Sequence, residues 1–133
     1  MKTQAFTLIE LMVVVIIIAA LAGMVLPRVL PASQEAKSKI AAGDIRSITT
    51  ALQLYKLHND VYPSTSEGLA VLMQPSSSPT WKEPYLEKKP IDPWKHSYEY
   101  EYPSSRAGSG FALWSKGPDG QSGTDDDITN WEQ

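Results

Sequence analysis

Two places in this 133-residue chain combine side chains that can do chemistry. The first is Lys116 to Ile128, KGPDGQSGTDDDI, where four aspartates fall within nine residues and three glycines lie in the same stretch. Aspartates so crowded repel one another and, left alone, favour an open solvated turn. A hard divalent cation reverses that preference. Calcium takes roughly six to eight oxygens from carboxylates, carbonyls and hydroxyls, and Gly117, Gly120 and Gly123 let the backbone turn its carbonyls inward. The spacing is not that of an EF-hand, since neither the Asp-x-Asp-x-Asp-Gly start nor the terminal Glu is present. On the residues alone, a solvated acidic turn and a cation loop are both open.

The second place is Glu10, the one acid in Phe6 to Leu26, FTLIELMVVVIIIAALAGMVL. As a helix at ~1.5 Å per residue this stretch is about 31 Å long, matching a hydrocarbon core of about 30 Å. It therefore predicts a membrane span. An ionised carboxylate at that depth costs on the order of a few kcal/mol, so Glu10 needs a partner, and nothing cationic lies near it in the helix. A carboxylate at the interface, favoured by the N-terminal helix dipole, is the plainer alternative. A secretory signal fits less well. Ala19 to Gly23 imitates a cleavage site, but an acid inside the apolar region counts against it. Lys2, Arg28, Lys37 and Lys39 give no consistent charge bias to orient the span.

The rest of the composition excludes more than it selects. There is no cysteine, hence no disulfide and no thiolate metal site. Residues 1–115 carry 11 basic and 10 acidic side chains, whereas 116–133 carry one Lys and five acids, so the overall charge of −3 belongs to the tail. With no basic stripe and no aromatics set among Lys or Arg, nucleic-acid binding is not supported. His58 and His96 have no Cys, and no convincing Ser or Asp partner, with which to make a nucleophile and base. Both read as surface or turn histidines.

These sites need elements to hold them. From Ala32 to Leu57, Ala36, Ile40, Ile45, Ile48, Leu52 and Tyr55 recur at helical spacings, while Lys37, Asp44, Arg46 and Lys56 take other faces. The spacing predicts one long helix, loosened or bent at Pro27 and Pro31, with Gly43 a tolerable defect. It should stop at Asn59-Asp60 before Pro63. Ser64 to Glu67 offers a capping box opening a short helix through Met73 that Pro75 ends. Ser76 to Pro79 reads as a loop, and Trp81 to Lys89 as irregular. Pro90-Ile91-Asp92-Pro93-Trp94 is a proline-fixed turn that sets a Trp against the core. Tyr98, Tyr100 and Tyr102 alternate with Glu99 and Glu101, giving a half-buried strand over Lys95 to Tyr102, with the two acids on its solvent face. After a Gly/Ser turn, Phe111 to Ser115 is its antiparallel partner. The expected fold is α+β: a small antiparallel sheet laid on the amphipathic half of the helix.

Lys2-x-x-Ala5-Phe6-Thr7-Leu8-Ile9-Glu10, followed by the apolar run and Pro27, resembles the leader of type IV pilins and type II secretion pseudopilins. The resemblance implies that a prepilin peptidase cuts between Ala5 and Phe6 on the cytoplasmic side and methylates the new amine. Ala5 stands where the family usually has Gly. It also implies that Glu10 pairs with the N-terminal amine of a neighbouring subunit as the filament assembles. Tyr62 to Leu69, Asp92-Pro93-Trp94 and Ser115 to Gly120 with the following acids are similar to elements of the major pseudopilins.

That branch implies a calcium loop. Its ligands would be the carboxylates of Asp119, Asp126 and Asp127, the carbonyls of Lys116 and Gln121, and Thr124 where the family often has Ser, with Asp125 outside the set. The implied organisation is a leader over 1–5, a transmembrane and filament-core half over 6–30, and a periplasmic pilin-like domain over 31–133. The implied role is a non-enzymatic subunit. It would polymerise from the bacterial inner membrane, as a single-pass protein, into a helical type II secretion filament that helps export folded proteins across the outer membrane. Partners would be further copies, minor pseudopilins, the prepilin peptidase and the inner-membrane assembly platform. A type IV pilin, usually stapled by a disulfide this chain cannot form, and a membrane-tethered periplasmic enzyme or binding module are the competing roles.

Overall fold

The computed structural model describes residue 1 and residues 5–74, 84–108 and 110–132, with the side chains of 25–31 outside that description. Residues 2–4 of the expected leader, the stop at Pro75, the loop at Ser76 to Pro79 and the start of the irregular stretch at Trp81 therefore lie outside the described residues. So do the side chains of Pro27 and Pro31, on which the expected bend rests. The chain divides into two compact units, Met1–Glu35 and Ala36–Gln133.

Helix α1 spans Leu8–Asn59. It begins with a reciprocal pair: the Glu10 N–H donates to Thr7 Oγ1 (3.3 Å), while Glu10 Oε2 accepts from the Thr7 N–H and hydroxyl (3.2 Å each). Thr7-x-x-Glu10 is thus a capping box that satisfies donors the first turn leaves over. In the first unit every described large apolar side chain from Phe6 to Met24 is between 48% and 84% exposed. Among the described residues no helix is long and apolar enough to cross a membrane. The described side chains of the predicted span end at Met24, short of its last two residues.

In the second unit α1 buries Ala41, Ile45, Ile48, Ala51, Leu52 and Tyr55. The expected stripe is corrected at its start, since Ile40 is 56% exposed and Ala36 is also exposed. The buried row repeats at intervals of four and three from Ala41, and Ile40 lies about 100° away from that row. The helix ends as expected: Asp60 takes φ 64° and its N–H bonds the Lys56 carbonyl at 2.7 Å, while Asn59 Nδ2 bonds the Tyr55 carbonyl.

Beyond it the chain makes a 3₁₀ turn at Gly68–Leu72 in place of the expected longer helix. The predicted box does form ahead of it, with Ser64 N–H and hydroxyl both 2.8 Å from Glu67 Oε2. These bonds hold the Glu67 carboxyl below the usual range, the Ser64 N–H contributing most. Strands β1 (Glu99–Glu101), β2 (Ala112–Ser115) and β3 (Ile128–Thr129) form one antiparallel sheet in that order. Glu99 faces Trp114 and Glu101 faces Ala112, and Trp114 in turn faces Thr129. The third strand was not expected; two residues are too few to show a period, and pairing with β2 defines them. Asn130 prolongs the ladder, its side chain accepting from the Leu113 N–H at 2.9 Å and its own N–H donating to the Leu113 carbonyl at 3.0 Å.

The core joins Ile45, Ile48, Leu52 and Tyr55 of α1 to Leu72, Tyr98, Tyr100, Phe111 and Leu113. Tyr98 donates to Asp44 on α1, and Tyr100 to the Pro63 carbonyl, at 2.8 Å each. Burial is the main cause that pushes both phenols up.

Candidate functional site

The acidic stretch is the connection from β2 to β3, so the sheet register fixes both its ends, with Ser115 facing Ile128. Between them the loop closes on its own donors. The Asp119 N–H bonds Asp126 Oδ2 (3.3 Å), the Gln121 N–H bonds Asp119 Oδ1 (2.8 Å), and the Gly123 N–H bonds Asp127 Oδ2 (2.7 Å). The Trp114 indole N–H donates to Ser122 Oγ at 3.0 Å, tying the loop's flank to β2. At Gly117, φ is +61° and an added Cβ would stand 2.3 Å from the Asp126 carbonyl oxygen, so only glycine lets the two ends of the loop approach this closely.

Two places in this loop are short of donors. The Thr124 hydroxyl lies 3.1 Å from the Gln121 carbonyl and 2.6 Å from Asp126 Oδ1, and its single proton can serve one of them. The second oxygen of Asp127, Oδ1, is buried with no hydrogen-bond partner among the described residues. A buried carboxylate oxygen without a donor is costly. The Thr124 bond, more than the Asp119 N–H, holds the Asp126 carboxyl below its usual range.

Of the six residues expected to ligate, hydrogen bonds join Asp119 to Asp126, Asp119 to Gln121, and Thr124 to Gln121, Asp126 and Asp127. Lys116 turns its ammonium outward, 2.6 Å from Glu99 on β1. Asp125 is exposed. Among the described residues no three of His, Cys, Asp and Glu are grouped closely enough to hold a metal by side chains alone. An ion here needs carbonyl and hydroxyl oxygens as well. The donor set is all oxygen, and the orphaned Asp127 oxygen and the shared Thr124 proton fit a hard cation.

The proline turn holds the residue that sequence reasoning missed. Trp94 is half-buried and outside the core, whereas Asp92 is 2% exposed, which corrects the expected anchor. Asp92 Oδ1 accepts from the Trp94 and His96 N–H groups, and Oδ2 accepts from the Ser115 hydroxyl at 2.6 Å. Ser, Asp and His meet here without forming a nucleophilic set. The hydroxyl is fully buried and gives its proton to the carboxylate, not to the imidazole. His58 is likewise a tie, its Nδ1 2.8 Å from the Tyr85 hydroxyl. Glu99 and Glu101 face Lys116 and Arg106 as partly exposed ion pairs.

At the N-terminus, Ala5 and Phe6 are exposed ahead of α1, and Glu10 is drawn back toward them by its bonds to Thr7. The Thr-x-x-Glu spacing was the available signal for that cap.

Residues 28–131 match the family described as type II secretion system (T2SS), protein G, and residues 1–26 match the prokaryotic N-terminal methylation motif. The chain is 45% identical over 139 residues to the type II secretion system core protein G of Pseudomonas aeruginosa, covering 98% of this chain and 96% of that one. It is 40% identical over 135 residues to the protein of that name from Escherichia coli K12, covering 98% and 92%. In three dimensions it is similar to the crystal structure of the major pseudopilin from the type 2 secretion system of enterohaemorrhagic Escherichia coli. That match has a TM-score of 0.68 at 30% identity and covers 77% of this chain and 88% of that one.

Proposed function

The chain belongs to the type II secretion system protein G family, and from that premise we propose how its parts serve a filament. It is a structural subunit of the type II secretion pseudopilus, a pilin-like, membrane-associated envelope protein and not an enzyme. The observation that carries the reading is the contrast between its two units. Residues 36–133 bury a core of their own, while the apolar side chains from Phe6 to Met24 stand 48% to 84% exposed. Surface of that kind is stable only against lipid or against other copies. The helix is first a single-pass inner-membrane anchor, with the second unit in the periplasm, and later the core of the filament. Contacts between copies are heterologous and do not close, as growth of a filament requires.

Prepilin peptidase cleaves between Ala5 and Phe6, placing a new amine one turn from Glu10. In the separate chain the Glu10 carboxylate rests on Thr7 and the helix end. In the filament it pairs with the Phe6 amine of a neighbouring copy, which makes an expensive charge a device for register. Minor pseudopilins and the inner-membrane assembly platform are its other partners.

Calcium would be held by Asp119, Asp126 and Asp127, the carbonyls of Lys116 and Gln121, and the Thr124 hydroxyl. The ion supplies positive charge that offsets the repulsion among the aspartates and links β3 to β2. What supports this is the shortage of donors, above all at the unpartnered Asp127 Oδ1.

The pairing role is tested with Glu10→Ala. Membrane fractionation should find the variant inserted as before, and electron microscopy should find filaments lost. Filaments of normal abundance and length from that variant would refute it.

A further inference from the structure

We infer that Asp92 is a positioning residue for the acidic loop, acting through Ser115; this rests on the reading of that loop as a calcium site. Asp92 lies on the proline turn, outside the loop in sequence, yet its side chain is 0% exposed. Burying a carboxylate is costly unless its oxygens are fully used. Oδ1 organises the turn itself, accepting from the Trp94 N–H at 3.0 Å and the His96 N–H at 2.8 Å. A neutral amide would do that as well. Only Oδ2 calls for a carboxylate, and it receives the Ser115 hydroxyl at 2.6 Å, the length of a charge-assisted bond.

That bond fixes where the Ser115 proton points, which frees a lone pair on the oxygen to accept from the Gly117 N–H at 3.2 Å. Gly117 is the residue whose backbone lies against the Asp126 carbonyl, and Lys116, whose carbonyl is a proposed ligand, is held between Ser115 and Gly117. A second arm of the same turn reaches the loop at its middle. The His96 ring lies where a Cβ on Gly120 would meet it at 3.1 Å, and Gly120 joins the ligands Asp119 and Gln121. One buried carboxylate thus sets the first carbonyl and the width of the loop without touching an ion.

Groups that orient ligands in this way change metal affinity by about 10- to 100-fold when removed. The test uses the full-length chain in detergent, titrated calorimetrically with calcium chloride and melted in calcium and in excess chelator. Ser115→Ala removes the tether with almost no change in volume. Asp92→Asn keeps the Oδ1 bonds and replaces the oxygen that receives the hydroxyl. Both variants should bind calcium at least ~10-fold more weakly, and the gap between calcium and chelator Tm should shrink. A Tm lowered equally in both conditions, with unchanged calcium Kd, marks a purely structural contact and overturns the inference while leaving the calcium site standing. No binding heat from the unsubstituted protein overturns both. If Asp92→Asn does not melt cooperatively, Ser115→Ala decides.

Discussion

Alkaline pH should unfold the second unit through two particular tyrosines. Tyr98 and Tyr100 are 6% and 9% exposed on the sheet face that meets α1. Burial pushes both phenols up; for Tyr98 the bond to Asp44 and the charges of Asp44 and Asp92 add to it. In the unfolded chain each phenol loses its proton near pH ~10. The folded protein holds both protons to a higher pH, so their contribution is intact below pH ~10 and is lost as pH rises above it. The slope is about 1.4 kcal/mol per pH unit for each residue, so by pH ~11 the pair removes about 2.8 kcal/mol. That is a large part of a typical stability of about 5–15 kcal/mol. Urea titrations of the full-length protein in detergent from pH ~8 to ~11.5 measure the slope.

A Tyr98→Phe/Tyr100→Phe double variant separates this effect from the lysines. It should be less stable at pH ~8, because the buried Pro63 carbonyl loses its donor at a cost of about 1–3 kcal/mol. Its alkaline slope should nevertheless be shallower by about 2.8 kcal/mol per pH unit. An unchanged slope in the double variant refutes the reasoning. So does tyrosinate absorbance that develops fully before the helical signal falls.

The parts of the fold that could be read from the sequence are those whose pattern repeats. Ile45, Ile48, Leu52 and Tyr55 announced the buried side of α1 because four residues at a 3.6-residue period leave little choice of face. Tyr100, with Tyr98 just ahead of the strand, did the same for β1, which is shorter than the expected Lys95 to Tyr102, with Glu99 and Glu101 turned outward to Lys116 and Arg106. Single residues at an edge were not legible. Ile40 is apolar but lies off the stripe, and the small Ala41 takes the buried place. Ile128 and Thr129 make a strand only because β2 has an open edge beside them.

In the site, composition announced an oxygen-rich loop, but the closeness of Gly117 to Asp126 arises only when β2 and β3 pair and bring the two ends of the loop together. Asp92 was hidden for a physical reason. An Asp before Pro in a turn is adequately explained by its bonds to the next backbone N–H groups, so nothing local signals its second oxygen, which is engaged by a residue 23 positions on. Trp94 drew attention by size, although size does not decide burial where the chain reverses.

Two further outcomes test the core and the loop. Phe111→Ala should cost about 3–5 kcal/mol in urea titrations, because the ring is 0% exposed with the Tyr62 ring 4.9 Å and the Tyr100 ring 6.1 Å away; a loss under ~1 kcal/mol would mean that the three rings do not share a packed core. Stripping metal with chelator should lower the Tm of the full-length protein, and calcium at a hundred times its Kd should restore about 2.7 kcal/mol. The loss should be specific to the oxygens that lack donors. Asp127→Asn removes the charge and puts an amide nitrogen, which cannot ligate, in place of the oxygen that lacks a donor, so it should abolish most of the calcium effect. Asp125 is exposed, so Asp125→Asn should leave the calcium effect in place. Identical melting with and without metal in the unsubstituted protein would exclude the ion, and the unpartnered oxygen of Asp127 would then have to be satisfied by water.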